Sequence, residues 1–323
     1  MKISELHEAY KSERIEKKVY WKLLREKFLP LLEYQTLMGE MVDGSSIEVT
    51  KDDVVLNYDK IRIAFDFQQT FSRAETILGM GSNPEQDDFD FIEDILKKGG
   101  VVFDIGANVG VFSLSLVAHC PSVDKIYAFE PIPSTYQKMI KNLSYNHNPK
   151  QIFTYNMGLS DKSGSFDFFL PGENEAASLK PVTDEFYLQE SIDGIYTGQK
   201  KSERVLCKVS TVDEFVCDNP QTSIDLLKID VEGNEKFVLE GAASVLKRYK
   251  PIVYTEMLRK HAARFQYHPN DIIEFMRSLG YQCYICVNNE LVTFKKMDDS
   301  TVETNFFFCH QEKHQDLLQS YMK

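Results

Sequence analysis

Strand-like and helix-like segments alternate along the chain from about residue 99 onward. Short apolar segments of strand length, VVFDI, KIYAFE, IDLLKID and PIVYTEM, are each followed by a segment of helical period. These helices are expected over about residues 109–119, 134–146 and 269–279, and from the end of IDLLKID to about Arg248. Because parallel strands need crossover connections, the pattern predicts an α/β fold with a mostly parallel sheet and helices on both faces.

The first 85 residues lack such units and form a predicted accessory region before the main domain of residues 86–323. Apolar residues recur at helical spacing up to about residue 38, with an interruption at Pro30, and indicate one or two amphipathic helices. From Ser46 to Phe67 the pattern indicates short strands joined by Asp-rich turns. We expect the helices to pack on the main domain or on a second subunit, which leaves a homodimer open.

Residues 172–204 form a polar segment of the main domain without a clear period. Long insertions in compact domains are often lids or binding loops. We therefore expect a substrate-side insertion that helps to decide which acceptor binds.

The net charge of −12 and the pI near 5.2 bear on the partners of the chain. Proteins that grip nucleic acid draw their affinity from clusters of Lys and Arg, so a nucleic-acid substrate is not expected. The sequence shows no signal-peptide core and no apolar run of membrane-spanning length, so we expect a cytoplasmic protein without a membrane span. Cys283 and Cys286 would point to opposite faces of a strand, so their spacing predicts no metal site.

A Gly-rich turn, VVFDIGANVGVFS, connects the first strand of the main domain to its helix. In an open α/β sheet, ligands bind at the carboxyl ends of the strands, where such a turn meets a helix N-terminus. Gly106 allows a sharp turn and Gly110 allows close approach of the helix. Glu130 ends the next strand, where its carboxylate is placed to accept hydrogen bonds from ribose hydroxyls. The turn therefore predicts a site for a nucleoside-containing cofactor.

Two cofactors suit this position, and the residues of the turn favour one of them. A dinucleotide site supplies a further glycine so that backbone can approach a pyrophosphate, whereas this turn has Ala107 and Asn108 and begins with Asp104. S-adenosylmethionine carries an ammonium, a carboxylate and a sulfonium but no phosphate, so an acidic, hydrogen-bonding turn suits it better. An NAD(P)-dependent oxidoreductase remains the alternative, and a non-catalytic cofactor-binding protein of the same fold is a third hypothesis.

The segments DIGANVGVFSLSL, AFEP, MGLSD and LLKIDVEGNEKFVLEGA together resemble the FkbM-type methyltransferases over about residues 99–310. The resemblance implies a Rossmann-like, seven-stranded class I methyltransferase sheet and methyl transfer to a hydroxyl of a sugar or another small natural product. It implies that Glu130 meets the ribose of the cofactor, that Pro131 lines the same site and that Asp161 meets the adenine amino group. The methionine part is assigned to Asp104, Gly106, Asn108 and Gly110.

Charged residues also cluster at the end of IDLLKID, where Lys228 and Asp230 share one face of the strand and Glu232 follows in the turn. Enzymes that methylate nucleobase amino groups resemble one another in an N-P-P-aromatic run here, whereas this chain has DVEGN, which favours an oxygen acceptor. A hydroxyl acceptor must lose a proton, and a carboxylate or histidine in reach typically contributes about a hundredfold to ten-thousandfold. The candidate catalytic residues are Asp230, Glu232, Lys228, Glu256 and His261, the last expected in a loop.

Paired acids at a strand end could also hold a divalent cation on the acceptor hydroxyl, because Mg²⁺ prefers carboxylates and water. The sequence has no dedicated metal motif, so such a cation is not predicted. The sequence therefore predicts an S-adenosylmethionine-dependent O-methyltransferase whose acceptor is a sugar, a glycan precursor or another small hydroxylated natural product.

Overall fold

The computed structural model describes residues 2–27, 29, 45–66, 74, 77, 86–170, 178–180 and 203–321. The first elements are α1 (Ile3–Lys11), β1 (Ser46–Val49), β2 (Val54–Tyr58), β3 (Ile61–Ala64) and α2 (Gln86–Leu96). The middle elements are β4 (Val101–Ile105), α3 (Val111–His119), β5 (Lys125–Phe129), α4 (Pro133–Tyr145), β6 (Ile152–Tyr155), β7 (Gly158–Leu159), β8 (Gly164–Leu170), β9 (Glu203–Ser210) and α5 (Val212–Asp218). The last elements are β10 (Leu226–Ile229), α6 (Glu235–Glu240), α7 (Ala243–Tyr249), β11 (Ile252–Glu256), α8 (Arg259–Arg264), α9 (Pro269–Ser278), β12 (Tyr281–Val287), β13 (Glu290–Thr293), β14 (Asn305–His310) and α10 (Gln315–Tyr321).

Within the described residues, the central sheet has eight strands in the order β13-β12-β14-β11-β10-β4-β5-β6. The strands from β11 to β6 run parallel, and β14 runs antiparallel to both of its neighbours. The strand order reverses between β4 and β10, so a crevice opens at the carboxyl ends of these two strands. The predicted Rossmann-like α/β fold is confirmed.

The prediction of seven strands misses one strand at the edge of this sheet. β12 turns back into β13 through Asn288 and Asn289, whose φ values of 50° and 59° suit a two-residue hairpin. The hairpin adds β13 as the eighth strand among the described residues. Within β12, Cys283 lies in the hydrophobic core of one face and Cys286 packs against the core of the other, as their spacing predicts.

Helix formation after β10 is interrupted at Gly241, where the sequence predicts one continuous helix. A Cβ atom on Gly241 would lie 2.1 Å from the carbonyl oxygen of Ser160, so the chain passes very close to the segment after β7. α7 then begins anew, and the Asp213 carboxylate accepts hydrogen bonds from the Ser244 and Val245 amides, both at 2.9 Å. A carboxylate stabilises a helix N-terminus in this way. The prediction of one continuous helix is therefore wrong. The break depends on contacts with Ser160 and Asp213, which are distant in the sequence and leave no local signal.

Gly241→Ala is expected to lower the free energy of unfolding by about 1–3 kcal/mol, the usual range for overpacking. The φ of Gly241 is −70°, so the loss would come from the steric contact and not from backbone strain. Thermal or denaturant unfolding measures this loss. Gly158→Ala is the matched control, because its Cβ atom would meet only side-chain atoms at 3.3 Å or more. Equal losses in the two variants would contradict the close approach as the cause.

The small antiparallel sheet β1–β3 packs on the helices that follow β4 and β5. Asn142 of α4 and Asn146, directly after this helix, accept hydrogen bonds from the Ala64 and Arg62 amides of β3, respectively, both at 2.9 Å. A shared hydrophobic core joins this sheet to α3 and α4 and includes Leu56, Ile63, Leu114 and Met139. The predicted β part of the accessory region is therefore fixed to the main domain.

The N-terminal helices contact each other. Tyr10 of α1 stacks on Tyr20 in the helical residues 17–27, with ring centroids 4.6 Å apart. A homodimer through these helices and a domain boundary near residue 85 stay predictions. None of the helices in the described part of the chain has the length and apolar character that crossing a membrane requires.

Most of the predicted insertion at 172–204 lies outside the described residues. Ser178 forms a bridge with Phe169 of β8, and residues 203 and 204 already belong to β9, so the segment ends earlier than predicted. β9 pairs with β7 and β8 in a small sheet of the described residues.

Candidate active site

The turn after β4 has a backbone conformation that glycine favours at two positions. Gly106 and Gly110 have φ values of +82° and +86°, in the left-handed region. A Cβ atom on Gly106 would lie 1.8 Å from the carbonyl oxygen of Asp230. The Gly106 and Ala107 amides donate hydrogen bonds to the Phe129 carbonyl, at 3.0 and 2.9 Å. The strands on both sides of β4 therefore fix this turn.

Glu130 follows β5 and shapes the same turn. Its Oε2 accepts a hydrogen bond from the Asn108 amide at 3.0 Å, and its Oε1 accepts one from the Ile132 amide at 2.9 Å. Burial raises the pKa of Glu130 to about 7, although the two amides and Lys228 favour the charged form. Each carboxylate oxygen has lone pairs for a further donor, and Glu130 lines a cavity beside Pro131.

Lys228 of β10 connects the turn to the neighbouring strand. Its Nζ lies 3.2 Å from Asp104 Oδ1 and 3.7 Å from Asp230 Oδ2, and it donates to the Gly106 carbonyl at 2.9 Å. Asp104 is fully buried, and Ser113 Oγ donates to its Oδ2 at 2.7 Å. Buried charges are tolerated when they are paired and hydrogen-bonded. These contacts indicate that Asp104 and Lys228 support the turn from behind and position it.

Two cavities, both lined by described residues, meet at Gly106, Asn108 and Asp230. The first is otherwise lined by Ile105, Phe129, Glu130, Pro131, Gly158, Leu159, Phe168, Leu179, Val231, Glu232 and Asn234. The second is otherwise lined by Ala107, Val109, Val111, Phe112, Lys228, Ile229, Tyr254, Glu256 and Asn305. Asn108 Oδ1 is buried at the junction without a hydrogen-bond partner among the described residues, so a bound molecule can satisfy it.

One imidazole contacts two carboxylates that line different cavities. His261 Nδ1 lies 3.2 Å from Glu232 Oε2 and 3.8 Å from Glu256 Oε2. Glu232 lines the first cavity, Glu256 lines the second and Asp230 lines both. Four of the five predicted catalytic candidates, Asp230, Glu232, Glu256 and His261, therefore lie around the two cavities. The fifth, Lys228, lies 3.7 Å from Asp230. His261 belongs to α8 and is buried, so its expected place in a loop is wrong.

The backbone of Glu232 is held in an uncommon conformation. Its φ is +56°, in the left-handed region that residues with a side chain rarely adopt, and such strain often marks functional sites. Arg264 Nη2 donates to the Glu232 carbonyl at 2.8 Å, and Ser178 Oγ donates to the same oxygen at 3.3 Å. Arg264 and Ser178 thus fix the main-chain position from which the Glu232 side chain extends.

The electrostatic surroundings of the cluster separate its protonation states. Burial raises the pKa of Glu232 to about 7, and the nearby Asp230 and Glu235 carboxylates add to the effect. Burial also lowers the pKa of His261, and the cations Arg264 and Lys260 act in the same direction. Near neutral pH the Glu232 carboxyl therefore changes its protonation while the imidazole is neutral, which suits an acid–base pair.

Two residues that support the loop between β10 and α6, Glu235 and Tyr267, were not predicted from the sequence. Glu235 is buried and accepts hydrogen bonds from the Gly233 amide at 2.9 Å and the Val231 amide at 3.2 Å. Tyr267 OH lies 3.1 Å from both Glu235 Oε2 and the Gly233 carbonyl. An acid in the first helical turn was a usable signal for Glu235. Nothing local in the sequence points to Tyr267 or Arg264.

Asp161 lies just after β7 and is exposed. Ser160 Oγ donates to its Oδ1 at 3.2 Å. Asp161 is not among the described residues that line either cavity, whereas Gly158 and Leu159 of the same segment line the first. Its assignment to the adenine amino group stays a prediction.

Known proteins are similar to the part of the chain that carries this site. The chain is 32% identical over 160 residues to methyltransferase sdnD of Sordaria araneosa, and the matched segment covers 45% of this chain and 61% of that protein. It is 28% identical over 160 residues to the 31-O-demethyl-FK506 methyltransferase FkbM of Streptomyces tacrolimicus, covering 45% and 60%. It is 25% identical over 163 residues to the hexuronic acid methyltransferase AglP of Haloferax volcanii, covering 50% and 58%. The matched segments span about three fifths of these relatives.

The family model of the methyltransferase FkbM domain matches residues 104–283, more than half of the chain. The matched range begins at Asp104, in β4 just before the turn, and contains Glu130, Glu232, Glu256 and His261. The resemblance in the sequence motifs is thereby confirmed. The chain belongs to the FkbM family of methyltransferases.

Proposed function

We propose that the chain is an S-adenosylmethionine-dependent O-methyltransferase that acts on a hydroxyl of a sugar, a glycan precursor or another small natural product. The observation that carries the proposal is the contact of His261 with Glu232 and Glu256 where two cavities meet. The names of two relatives, a 31-O-demethyl-FK506 methyltransferase and a hexuronic acid methyltransferase, support an oxygen or sugar acceptor. Family membership favours this function over a dehydrogenase, and the clustered acids favour it over a non-catalytic binding protein.

The residues around the first cavity fit S-adenosylmethionine. Glu130 would accept hydrogen bonds from the ribose hydroxyls, and Pro131 and Leu159 offer apolar contacts to the adenine. Asn108 Oδ1, which lacks a partner among the described residues, and the Asp230 carboxylate would accept hydrogen bonds from the methionine ammonium. When bound, the cofactor supplies an electrophilic methyl group on a sulfonium.

The cluster of acids and histidine would orient the acceptor hydroxyl and take up its proton. Holding two reactants in line can lower the barrier by about 7–11 kcal/mol. A base whose pKa lies near the working pH adds about a hundredfold to ten-thousandfold, and Glu232 meets this condition. Neutral His261, 3.2 Å from Glu232, would hold that carboxylate in place.

Titration calorimetry with S-adenosylhomocysteine tests the cofactor site. Glu130→Ala is expected to weaken binding by about a hundredfold, because it removes the acceptor for the ribose and leaves the Asn108 amide without its partner. Glu274→Ala on α9 is the matched control, since Glu274 is exposed and lies outside both cavities. Absence of saturable binding, or equal affinity of the two variants, would contradict the proposed site.

The affinity for S-adenosylhomocysteine is expected to weaken as the pH falls from about 8 to about 6. Hydrogen bonds from the ribose select the charged form of Glu130, whose pKa is about 7 in the free protein, so protonation competes with binding. Below pH 7 the Kd should rise by up to about tenfold per pH unit, and binding should release protons. Glu232 also has a pKa of about 7, but S-adenosylhomocysteine has no sulfonium that would interact with its carboxylate. Glu232→Gln should therefore keep this pH dependence of the Kd. A constant Kd over the range would show that Glu130 does not meet the ligand as a carboxylate.

A further inference from the structure

We propose that the second cavity is the acceptor subsite and that it selects a neutral or amine-bearing polyol while rejecting acceptors with a carboxylate or phosphate beside the reactive hydroxyl. The inference rests on the proposed methyltransferase function and goes beyond it by assigning the charge class of the acceptor, in which this chain would differ from the hexuronic acid methyltransferase. It is carried by the acids and aromatic rings of this cavity and by the contacts that already occupy Lys228.

The walls of the second cavity suit a ring with hydroxyl groups. Phe112 and Tyr254 line it with aromatic surface, and Asn305 and Glu256 line it with polar groups. Tyr254 is held rigidly, because its hydroxyl donates to Asp88 at 3.0 Å and its ring stacks on Phe307 with centroids 4.8 Å apart. Apolar walls with a few fixed polar groups are typical of sites that orient a small molecule.

The ionisable groups of this cavity favour a neutral or positive ligand. Asp230 and Glu256 line the cavity, and Glu232 lies across His261 from Glu256. Carboxylates accept hydrogen bonds from hydroxyl and ammonium groups and repel other anions, more strongly when water is excluded. A second carboxylate on the acceptor would therefore be disfavoured at this position.

Lys228 is the one cation among the described residues that line the second cavity, and its contacts are already made. It lies 3.2 Å from Asp104, donates to the Gly106 carbonyl at 2.9 Å and lies 3.7 Å from Asp230. An anionic acceptor that recruited Lys228 would leave the fully buried Asp104 carboxylate without its counter-charge, which is strongly unfavourable. Lys228 therefore serves the turn and not an anionic acceptor.

Glu256 is the specificity-determining residue of this proposal. It ends β11, where its register partner on β14 is Asn305, so a carboxylate and an amide stand side by side on the cavity wall. The pair can accept from and donate to vicinal hydroxyls. Glutamine at position 256 would remove the negative charge and keep the size of the side chain and its ability to form hydrogen bonds. This change should relax the selection against anionic acceptors.

The test uses labelled S-adenosylmethionine, the purified chain and an extract of its source cells from which its gene has been deleted. The labelled product is cleaved by mild acid to its methylated unit, which is applied to anion and cation exchangers at neutral pH. We expect the unit to pass the anion exchanger or to bind the cation exchanger. Retention of the unit on the anion exchanger would overturn the proposed charge selection.

Glu256→Gln sharpens this test. We expect the ratio of label in anionic units to label in neutral units to rise by about tenfold, whereas Glu274→Gln should leave it unchanged. Both variants should bind S-adenosylhomocysteine as the parent chain does. A clear loss of that affinity in Glu256→Gln would place the second cavity in the cofactor site and overturn the acceptor subsite. Intact cofactor binding without any labelled product would instead contradict the methyltransferase function.

Discussion

Replacing Gly106 with alanine is expected to abolish measurable binding of S-adenosylhomocysteine and to lower the free energy of unfolding by about 3 kcal/mol or more. The left-handed conformation at φ +82° costs a residue with a Cβ atom about 1–2 kcal/mol. That atom would also lie 1.8 Å from the Asp230 carbonyl, so the turn and the end of β10 would have to move apart. Both cavities meet at these residues, and the displacement would distort them together. Calorimetry and denaturant unfolding measure the two losses.

Gly280→Ala separates backbone strain from the contact with Asp230. Gly280 has a nearly equal φ of +85°, but its Cβ atom would meet the His310 side chain at 3.0 Å, away from both cavities. We expect this variant to lose stability and to keep its affinity for S-adenosylhomocysteine. Normal binding by a folded Gly106→Ala variant would contradict the assignment of the turn.

Glu232→Gln is expected to lower kcat by about a hundredfold to ten-thousandfold with little change in the affinity for S-adenosylhomocysteine. Glutamine preserves the loop, because Arg264 and Ser178 both donate to the main-chain carbonyl of residue 232 and not to its side chain. What is lost is a group that can accept the proton of the acceptor. The initial rate of label transfer from S-adenosylmethionine to the acceptor fraction measures the effect.

The pH profile provides the second readout for Glu232. A base must be unprotonated to act, and the pKa of Glu232 is about 7, so the rate should fall by about tenfold per pH unit below that value. The positive sulfonium of the bound cofactor favours the carboxylate, so the inflection in kcat should lie below that in kcat/KM for S-adenosylmethionine. Glu240→Gln, an exposed acid of α6, should retain rate and profile. An unchanged kcat in Glu232→Gln would assign the proton transfer to another group.

The cofactor side of the site could be predicted because its signals are local. The spacing of Gly106, Gly110 and Glu130 along one strand–helix–strand unit places them at one edge of the sheet whatever the rest of the chain does. The left-handed Glu232 carries no such signal, because its conformation depends on contacts with Arg264 and Ser178.

The acceptor side depends on which strands become neighbours. Glu256 was expected to open on the same cleft as Glu232, and the pairing of β10 with β11 provides this arrangement. His261 was predicted as a candidate, but its burial in the short helix α8 directly after β11, beside Glu232 and Glu256, was not. The break at Gly241 also depends on a distant contact, with Ser160, which no periodicity in the sequence reveals.

The position of Lys228 has a thermodynamic consequence. Its ammonium contacts Asp104 and the Gly106 carbonyl and lies 3.7 Å from Asp230, where the two cavities meet. A positive ligand on either side therefore alters the field that the other ligand meets. Cofactor and acceptor should bind with mutual dependence, and by reciprocity each must change the affinity of the other by the same factor. The ratio of the Kd values for S-adenosylhomocysteine measured with and without the acceptor would give this coupling factor directly.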